Sequence, residues 1–148
     1  MKRESCRAIV ITDGQLMTMY REKEGRKYYI FPGGGMENDE SEIECVKREA
    51  LEEFGIVVEP IKKVYRYENE KTIQHFYVCD CVSGEFGSGE GEEFQGDESR
   101  GFYRPTLVKI SDIGNIPLMP PEITEKLVLD FEKYGEELSN EVQGVIVE

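Results

Sequence analysis

The sequence predicts an α+β chain with more strands than helices. Three observations carry that expectation. Short runs rich in Val, Ile, Tyr and Phe recur between turn residues, as strands do. Residues 42–54 place Ile43, Val46, Ala50 and Phe54 on one helical stripe. Pro120-Pro121 then opens a second amphipathic segment, about 121–134, with Ile123, Leu127, Leu129 and Phe131 expected mostly inward.

The elements follow in order. Residues 7–11 and 16–21 read as strands around the turn Thr12-Asp13-Gly14-Gln15. Residues 28–31 form another strand and run into Pro32-Gly33-Gly34-Gly35, read as a glycine loop. The helix at 42–54 has Ser41 and Asp39 as candidate N-caps and Gly55 placed to end it in a left-handed conformation. Residues 57–67 and 72–82 read as paired strands around Glu68-Asn69-Glu70-Lys71. Residues 83–101 are glycine-rich and acidic without apolar periodicity, so they read as a long loop, and loops of that length inside a domain are often functional. Residues 102–110 return as a strand, with Pro105 marking an edge or bend. Residues 111–114 are a turn. In the tail, 135–148, only 145–147 look like a further edge strand.

At 148 residues the chain is expected to be a single domain, 1–148, large enough for a real core. A net charge of −13 argues against nonspecific nucleic-acid or anionic-membrane partners, which need basic surface. The apolar run at 8–11 is too short for a signal peptide or a membrane span, so the cytoplasm is the expected compartment. Four cysteines in such a chain are expected to be reduced. His75, Cys79 and Cys81 alternate on one strand and invite a zinc reading, but their spacing matches no common zinc motif, and buried thiols are the expectation. Cys45 lies by helical angle beside Glu49 and Glu52. A space-filling role is favoured for it, and a redox or alkylation effect on metal binding is the sharper alternative.

The chemistry concentrates on the first helix. Glu49, Glu52 and Glu53 stand at i, i+3 and i+4, on one face and off the apolar stripe. Three like charges there repel unless a cation binds, and clustered carboxylates suit hard ions such as Mg²⁺, with Mn²⁺ as a substitute. The glycines before the helix let the backbone approach a ligand, but no Lys-Ser/Thr follows them, so this is not a Walker loop. The bland alternative is a solvated acidic helix after a turn. Glu42 and Glu44 are read as mere surface. Arg21, Lys23, Arg26 and Lys27 lie just upstream and are candidate phosphate contacts across a hairpin, with a solvated turn as the equal alternative. Nucleobase stacking has Tyr28, Tyr29, Phe76, Tyr77, Phe86, Phe94, Phe102 and Tyr103 as candidates.

Residues 34–56 read G-G-M-E-N-D-E-S-E-I-E-C-V-K-R-E-A-L-E-E-F-G-I. Gly34, Glu40, Arg48-Glu49, Ala50, Glu52-Glu53 and Gly55-Ile56 fall in register with the Nudix box, and the chain resembles the Nudix hydrolase superfamily at every fixed position. That resemblance implies an α/β/α sandwich with a mixed β-sheet between the box helix and a C-terminal helix. It implies a hydrolase cleaving a nucleoside diphosphate linked to another moiety, by water attack on phosphorus with Mg²⁺ bound. Glu52 and Glu53 would be the main metal ligands, Glu49 a further ligand or a base, and the Gly33 carbonyl a further donor. Arg48 would pair with Glu40 and orient the acids, and Glu37 also matches an acidic position. The base in similar proteins is either a box glutamate or lies on a later loop. Here Glu85, Glu90, Glu92, Glu93 and Glu98 are the loop candidates, with Glu93 favoured and Glu98 second. The substrate-binding candidates are Arg21, Arg26, Tyr28, Gly34 and Gly35. The implied partner is a small nucleotide-type substrate: an oxidised nucleoside triphosphate, a dinucleoside polyphosphate, an ADP-sugar or another. Many similar proteins are dimers, so the resemblance allows a homodimer, although the sequence itself does not specify the oligomeric state. The alternatives are a non-catalytic nucleotide sensor, against which the three intact glutamates argue, and a prenyl-diphosphate isomerase, for which no suitable cysteine is evident.

Overall fold

The computed structural model describes residues 2–87, 101–135 and 145–147. Its strands are β1 (Arg3–Ile9), β2 (Ile11–Thr12), β3 (Gln15–Lys23), β4 (Arg26–Ile30), β5 (Gly33–Gly35), β6 (Ile56–Glu68), β7 (Thr72–Gly84), β8 (Phe102–Lys109), β9 (Leu118–Met119) and β10 (Val145–Val147). Helix α1 spans Glu42–Phe54 and α2 spans Pro121–Tyr134, with a 3-10 turn at Ile110–Asn115 before β9. The α+β class expected from the sequence is the one observed.

The strands form two mixed sheets. The first has the order β10-β6-β7-β1-β5, with β1 parallel to β7 and antiparallel to β5. The second has the order β2-β3-β4-β9, and β8 pairs the opposite edge of β3. Pro105 lies on β8, opposite Met19, and β8 pairs only with β3 among the described strands, the edge position where proline is tolerated. Two tight turns hold the second sheet together. Asp13 and Gly14 take φ of 51° and 75°, and Glu24 and Gly25 take 52° and 79°. Left-handed backbone at both central residues matches strand twist, as two-residue hairpins require.

Alternation along β1 divides the core. Cys6, Ala8 and Val10 pack with Cys45, Val46, Ala50 and Phe54 of α1. Ile9 points the other way and joins Phe31, Phe76, Ile123 and Leu127, the last two from α2. Period-two side chains thus give each helix its own apolar face of sheet.

Several expectations are corrected. The glycine run is not a free loop: Gly33–Gly35 is strand β5, paired with Ser5, Cys6 and Arg7. Ile43 is 48% exposed, while Cys45 is fully buried, because the inward side of α1 centres on Val46 and Ala50. On α2, Leu129 is 62% exposed and Asp130 is buried in its place. Residue 129 lies about 200° around the helix from Leu127, on the solvent side. Asp130 is accommodated because the Tyr65 hydroxyl donates to it at 2.5 Å and Lys126 approaches at 3.2 Å.

Candidate active site

Helix α1 is held at both ends. The Glu44 N–H donates to Ser41 Oγ at 3.1 Å, and the Ser41 N–H donates to Glu44 Oε1 at 2.9 Å. This is a capping box, so Ser41 rather than Asp39 is the N-cap, and Glu44 has a structural job. Glu42 is not mere surface either: it accepts from the Tyr77 hydroxyl at 2.7 Å and pairs with Lys63 at 2.9 Å. At the far end Gly55 adopts φ 73° and closes the helix in the left-handed region.

Arg48 is the hub. It forms a two-point pair with Glu40, Nε to Oε2 at 2.6 Å and Nη2 to Oε1 at 3.0 Å. Its Nη1 donates to Glu49 Oε1 at 2.9 Å and to Glu52 Oε2 at 3.1 Å, and its Nη2 reaches the Gly35 carbonyl at 3.1 Å. Glu37 approaches at 3.6 Å. The Arg48 hydrogen bonds pull the Glu40 carboxyl down to about 2. The same contacts, Glu40 first, push the Arg48 guanidinium above its usual value, so it is permanently charged. One guanidinium thereby ties the loop before α1, the helix and β5 into a single unit.

The glycines of β5 are required by close approach. A Cβ at Gly34 would stand 2.7 Å from the Glu49 carboxylate. A Cβ at Gly33 would stand 2.0 Å from the Cys6 carbonyl oxygen and 2.8 Å from Arg7 Cδ, at a φ of 149°. Cys45 fits under this strand, its Sγ 3.6 Å from the Gly34 carbonyl. Its burial raises its pKa and agrees with the favoured space-filling role.

A cleft of about 440 Å³ opens beside β5. Glu49 and Glu53 line it together with the three glycines, and Arg3, Arg7, Arg21, Lys23 and Tyr103 also face it. Arg21 lies over the Tyr103 ring at 5.1 Å. Glu52 does not line the cleft; its side chain is 58% exposed and meets Arg48. Arg26 and Tyr28 do not line it either. Register puts Met19 opposite Ile30, Arg21 opposite Tyr28 and Lys23 opposite Arg26, so these pairs share one sheet face. Tyr28 is one step out from the cleft along that face, and Arg26 stacks on its ring at 5.1 Å. The loop candidates Glu90, Glu92, Glu93 and Glu98, with Phe94, lie outside the described residues. Of the other aromatics, Phe76 packs on Phe31 and Phe86 on Phe54, as core anchors rather than ligand platforms.

Sequence reasoning missed Arg3 and Arg7. The available signal was a lone arginine inside an otherwise apolar strand, since Arg7 is flanked by Cys6 and Ala8-Ile9-Val10. A strand that keeps a cation at such a place needs an anion to face it.

The donors beside the cleft are carboxylate and backbone oxygens. Among the described residues no three His, Cys, Asp or Glu side chains gather closely enough to hold a metal by themselves. That arrangement still fits Mg²⁺, which is usually held by one or two carboxylates and completes its shell with water and substrate phosphate. It does not suit zinc. His75 is engaged instead by Lys63, whose Nζ lies 2.8 Å from Nδ1, and burial lowers the imidazole pKa.

The NUDIX domain description matches residues 1–116, most of the chain. The chain belongs to the Nudix family. Nudix proteins are typically pyrophosphohydrolases acting on small nucleotide-type substrates, and the family usually uses divalent metals. Solved structures share the Nudix fold. An ADP-ribose pyrophosphatase from Streptococcus suis 89-1591 is 19% identical, with a TM-score of 0.69 over 99% of this chain and 100% of that one. A NUDIX hydrolase from Nitrosomonas europaea is 16% identical, with a TM-score of 0.70 over 99% and 78%. A MutT protein from Methanosarcina mazei Go1 is 19% identical, with a TM-score of 0.61 over 91% and 96%. No curated protein sequence matches significantly. Among the described residues no helix of this Nudix chain is long and apolar enough to cross a membrane.

Proposed function

We propose that this chain is a divalent-metal-dependent pyrophosphohydrolase that cleaves a nucleoside diphosphate linked to another moiety. One observation carries the reading: Glu49 and Glu53 share a cleft with Arg7 and Arg21, around a glycine strand with no side chains in the way. Acids and cations facing one space suit a substrate whose charge is concentrated in a diphosphate. One neighbour is an ADP-ribose pyrophosphatase by name, and at 19% identity it does not choose the substrate here.

Glu49 and Glu53 would hold Mg²⁺ or Mn²⁺ from the cleft side, with Glu52 and the Gly33 carbonyl as further oxygen donors. The bound cation would neutralise diphosphate charge and acidify water. The chain's own residues do the rest. Arg48 fixes the Glu49 carboxylate through a 2.9 Å hydrogen bond, so the acid keeps one geometry against Gly34. Arg21, fixed over Tyr103, supplies a cation to the phosphates. A carboxylate takes the proton from the attacking water, and Glu49 and Glu93 are the candidates for that base. Gly34 and Gly35 expose backbone to the ligand, and Tyr28 and Arg26 extend the same sheet face outward for the rest of the substrate.

The test is product release from nucleoside triphosphates, dinucleoside polyphosphates, NDP-sugars and NAD-type dinucleotides, with Mg²⁺, with Mn²⁺ and with EDTA. Cleavage should need metal and fall at least about tenfold in Glu53→Gln, which removes one of the carboxylate charges proposed to hold the cation. Tight nucleotide binding without turnover across the panel would instead make the chain a sensor.

A further inference from the structure

Arg7 sits on a partition. Its side chain lines the 440 Å³ cleft with Glu49 and Glu53, and also a second cavity of about 280 Å³. The two cavities differ in character. Six of the twelve described residues lining the first are charged, namely Arg3, Arg7, Arg21, Lys23, Glu49 and Glu53. In the second, Arg7 is the only charged lining residue among the described residues, and Ile30, Tyr67, Asn69, Gln74 and Pro120 are among the others. The guanidinium therefore stands where a charged space meets a neutral one.

Its hydrogen bonds are incomplete. Nε donates to Gln74 Oε1 at 3.3 Å and Nη1 to the Phe31 carbonyl at 3.1 Å. An arginine has five N–H donors, so three are left without a hydrogen bond among the described residues. No carboxylate among the described residues closes an ion pair with it; Glu49 and Glu53 act on it only through space. The position is also built. Arg7 pairs with Gly33 across β1 and β5, and the missing Gly33 side chain leaves room for Arg7 Cδ. A half-buried cation with neutral acceptors, spare donors and an open cleft lacks its anion. A planar fork of N–H groups is the donor geometry that fits a phosphoryl group.

We propose that Arg7 is a positioning residue that grips a phosphoryl group where the charged part of the substrate ends, at the boundary between the two cavities. The phosphate chain then lies on the side of Glu49 and Glu53, and the uncharged remainder lies on the side of Tyr67, Asn69 and Gln74. This deepens the pyrophosphohydrolase reading and rests on it for the substrate class.

Calorimetric titration with inorganic pyrophosphate, without metal and with Mg²⁺, tests the grip without requiring turnover. Two variants are compared with wild type. Arg7→Lys keeps the charge but loses the fork. Gln74→Glu keeps Arg7 and offers it an internal anion 3.3 Å away. Both should weaken pyrophosphate binding by about tenfold, the scale of one charge-assisted hydrogen bond, with unchanged unfolding midpoints or a raised one for Gln74→Glu. Once a substrate is known, Arg7→Lys should raise KM more than it lowers kcat. Wild-type affinity in folded Arg7→Lys and Gln74→Glu would overturn the proposal and leave Arg7 a strut between strands. If Arg7→Lys does not fold, Gln74→Glu decides alone. Pyrophosphate binding that depends on Arg7, in a protein that hydrolyses nothing, would sink the hydrolase reading and keep this one.

Discussion

Glu40 and Arg48 form a two-point ion pair, 2.6 and 3.0 Å, that fastens the segment before α1 to the helix carrying the acidic residues. The pair is well shielded, with side-chain exposures of 22% for Arg48 and 11% for Glu40. Its Arg48 partner also holds Glu49 and Glu52, so the pair controls where the carboxylates stand.

Stability should therefore depend on pH through Glu40. Its folded pKa, about 2, lies below the ordinary 4.5. A depressed acid contributes stability above its unfolded pKa and loses it as pH falls through the folded one. The loss should run from about pH 5 down to pH 2. Glu40→Gln should cost about 1–3 kcal/mol at pH 7, as for a hydrogen bond to a charged group, and flatten this part of the profile. Urea denaturation of both proteins across pH 2–7 measures it. Parallel profiles would mean that Glu40 is not the titrating group.

Two neighbouring glycines should fail in different ways. At Gly33 an added Cβ meets backbone, the Cys6 carbonyl oxygen, at 2.0 Å, and φ is 149°. Backbone cannot yield cheaply, so Gly33→Ala should destabilise by about 2 kcal/mol or more. At Gly34 the obstacle is the Glu49 carboxylate, the end of a movable side chain. Gly34→Ala should keep most of its stability and displace Glu49, so turnover should fall at least tenfold while the melting temperature shifts little. Thermal unfolding beside an activity assay separates the two; equal melting losses would contradict the assignment.

The legible and illegible parts of the chain divide by the reach of the interaction. The bounds of helix α1 were readable, because its helical period and its Gly55 cap are local signals, although the stripe misplaced Ile43 and Cys45. The two-residue turn at Asp13-Gly14 was readable for the same reason. Strand β5 was not, since glycines carry no strand propensity, and the lack of a side chain at Gly33 is what lets this run pair closely with Cys6 and Arg7 of β1. Glu44 is exposed, as read, but its capping role was missed because its partner is the N–H of its own cap rather than another charge. Arg26 is a phosphate candidate by closeness in sequence and Tyr28 a stacking candidate, yet neither lines the cleft, and Arg26 stacks on Tyr28 instead. Arg7 was overlooked because its place depends on two cavities assembled from β4, β5, β7 and the start of α2.

Tyr65 and Asp130 provide a stability prediction away from the cleft. Both side chains are buried, and burial followed by the Asp130 contact raises the tyrosine pKa well above its usual value. The hydroxyl is thus a donor at every physiological pH. Tyr65→Phe removes that donor and leaves a buried carboxylate whose remaining partner among the described residues is Lys126, at 3.2 Å. The expected cost is about 1–3 kcal/mol with turnover unchanged. Denaturation midpoints and initial rates check it, and a large fall in rate would link α2 to the chemistry.

The cysteines should react one at a time. Cys6, Cys45 and Cys79 are buried, and Cys81 is exposed. Burial raises the pKa of each buried thiol, that of Cys79 to about 12, which leaves little thiolate for alkylation near neutral pH. Iodoacetamide on the native protein should add first at Cys81, and turnover should survive because Cys81 lies at the exposed end of β7, outside the cleft lining. Mass spectrometry of the alkylated protein, followed by an activity assay, decides the matter. Early modification of Cys45 with loss of turnover would show instead that α1 opens readily, and that the Gly34 carbonyl contact does not hold this thiol in the core.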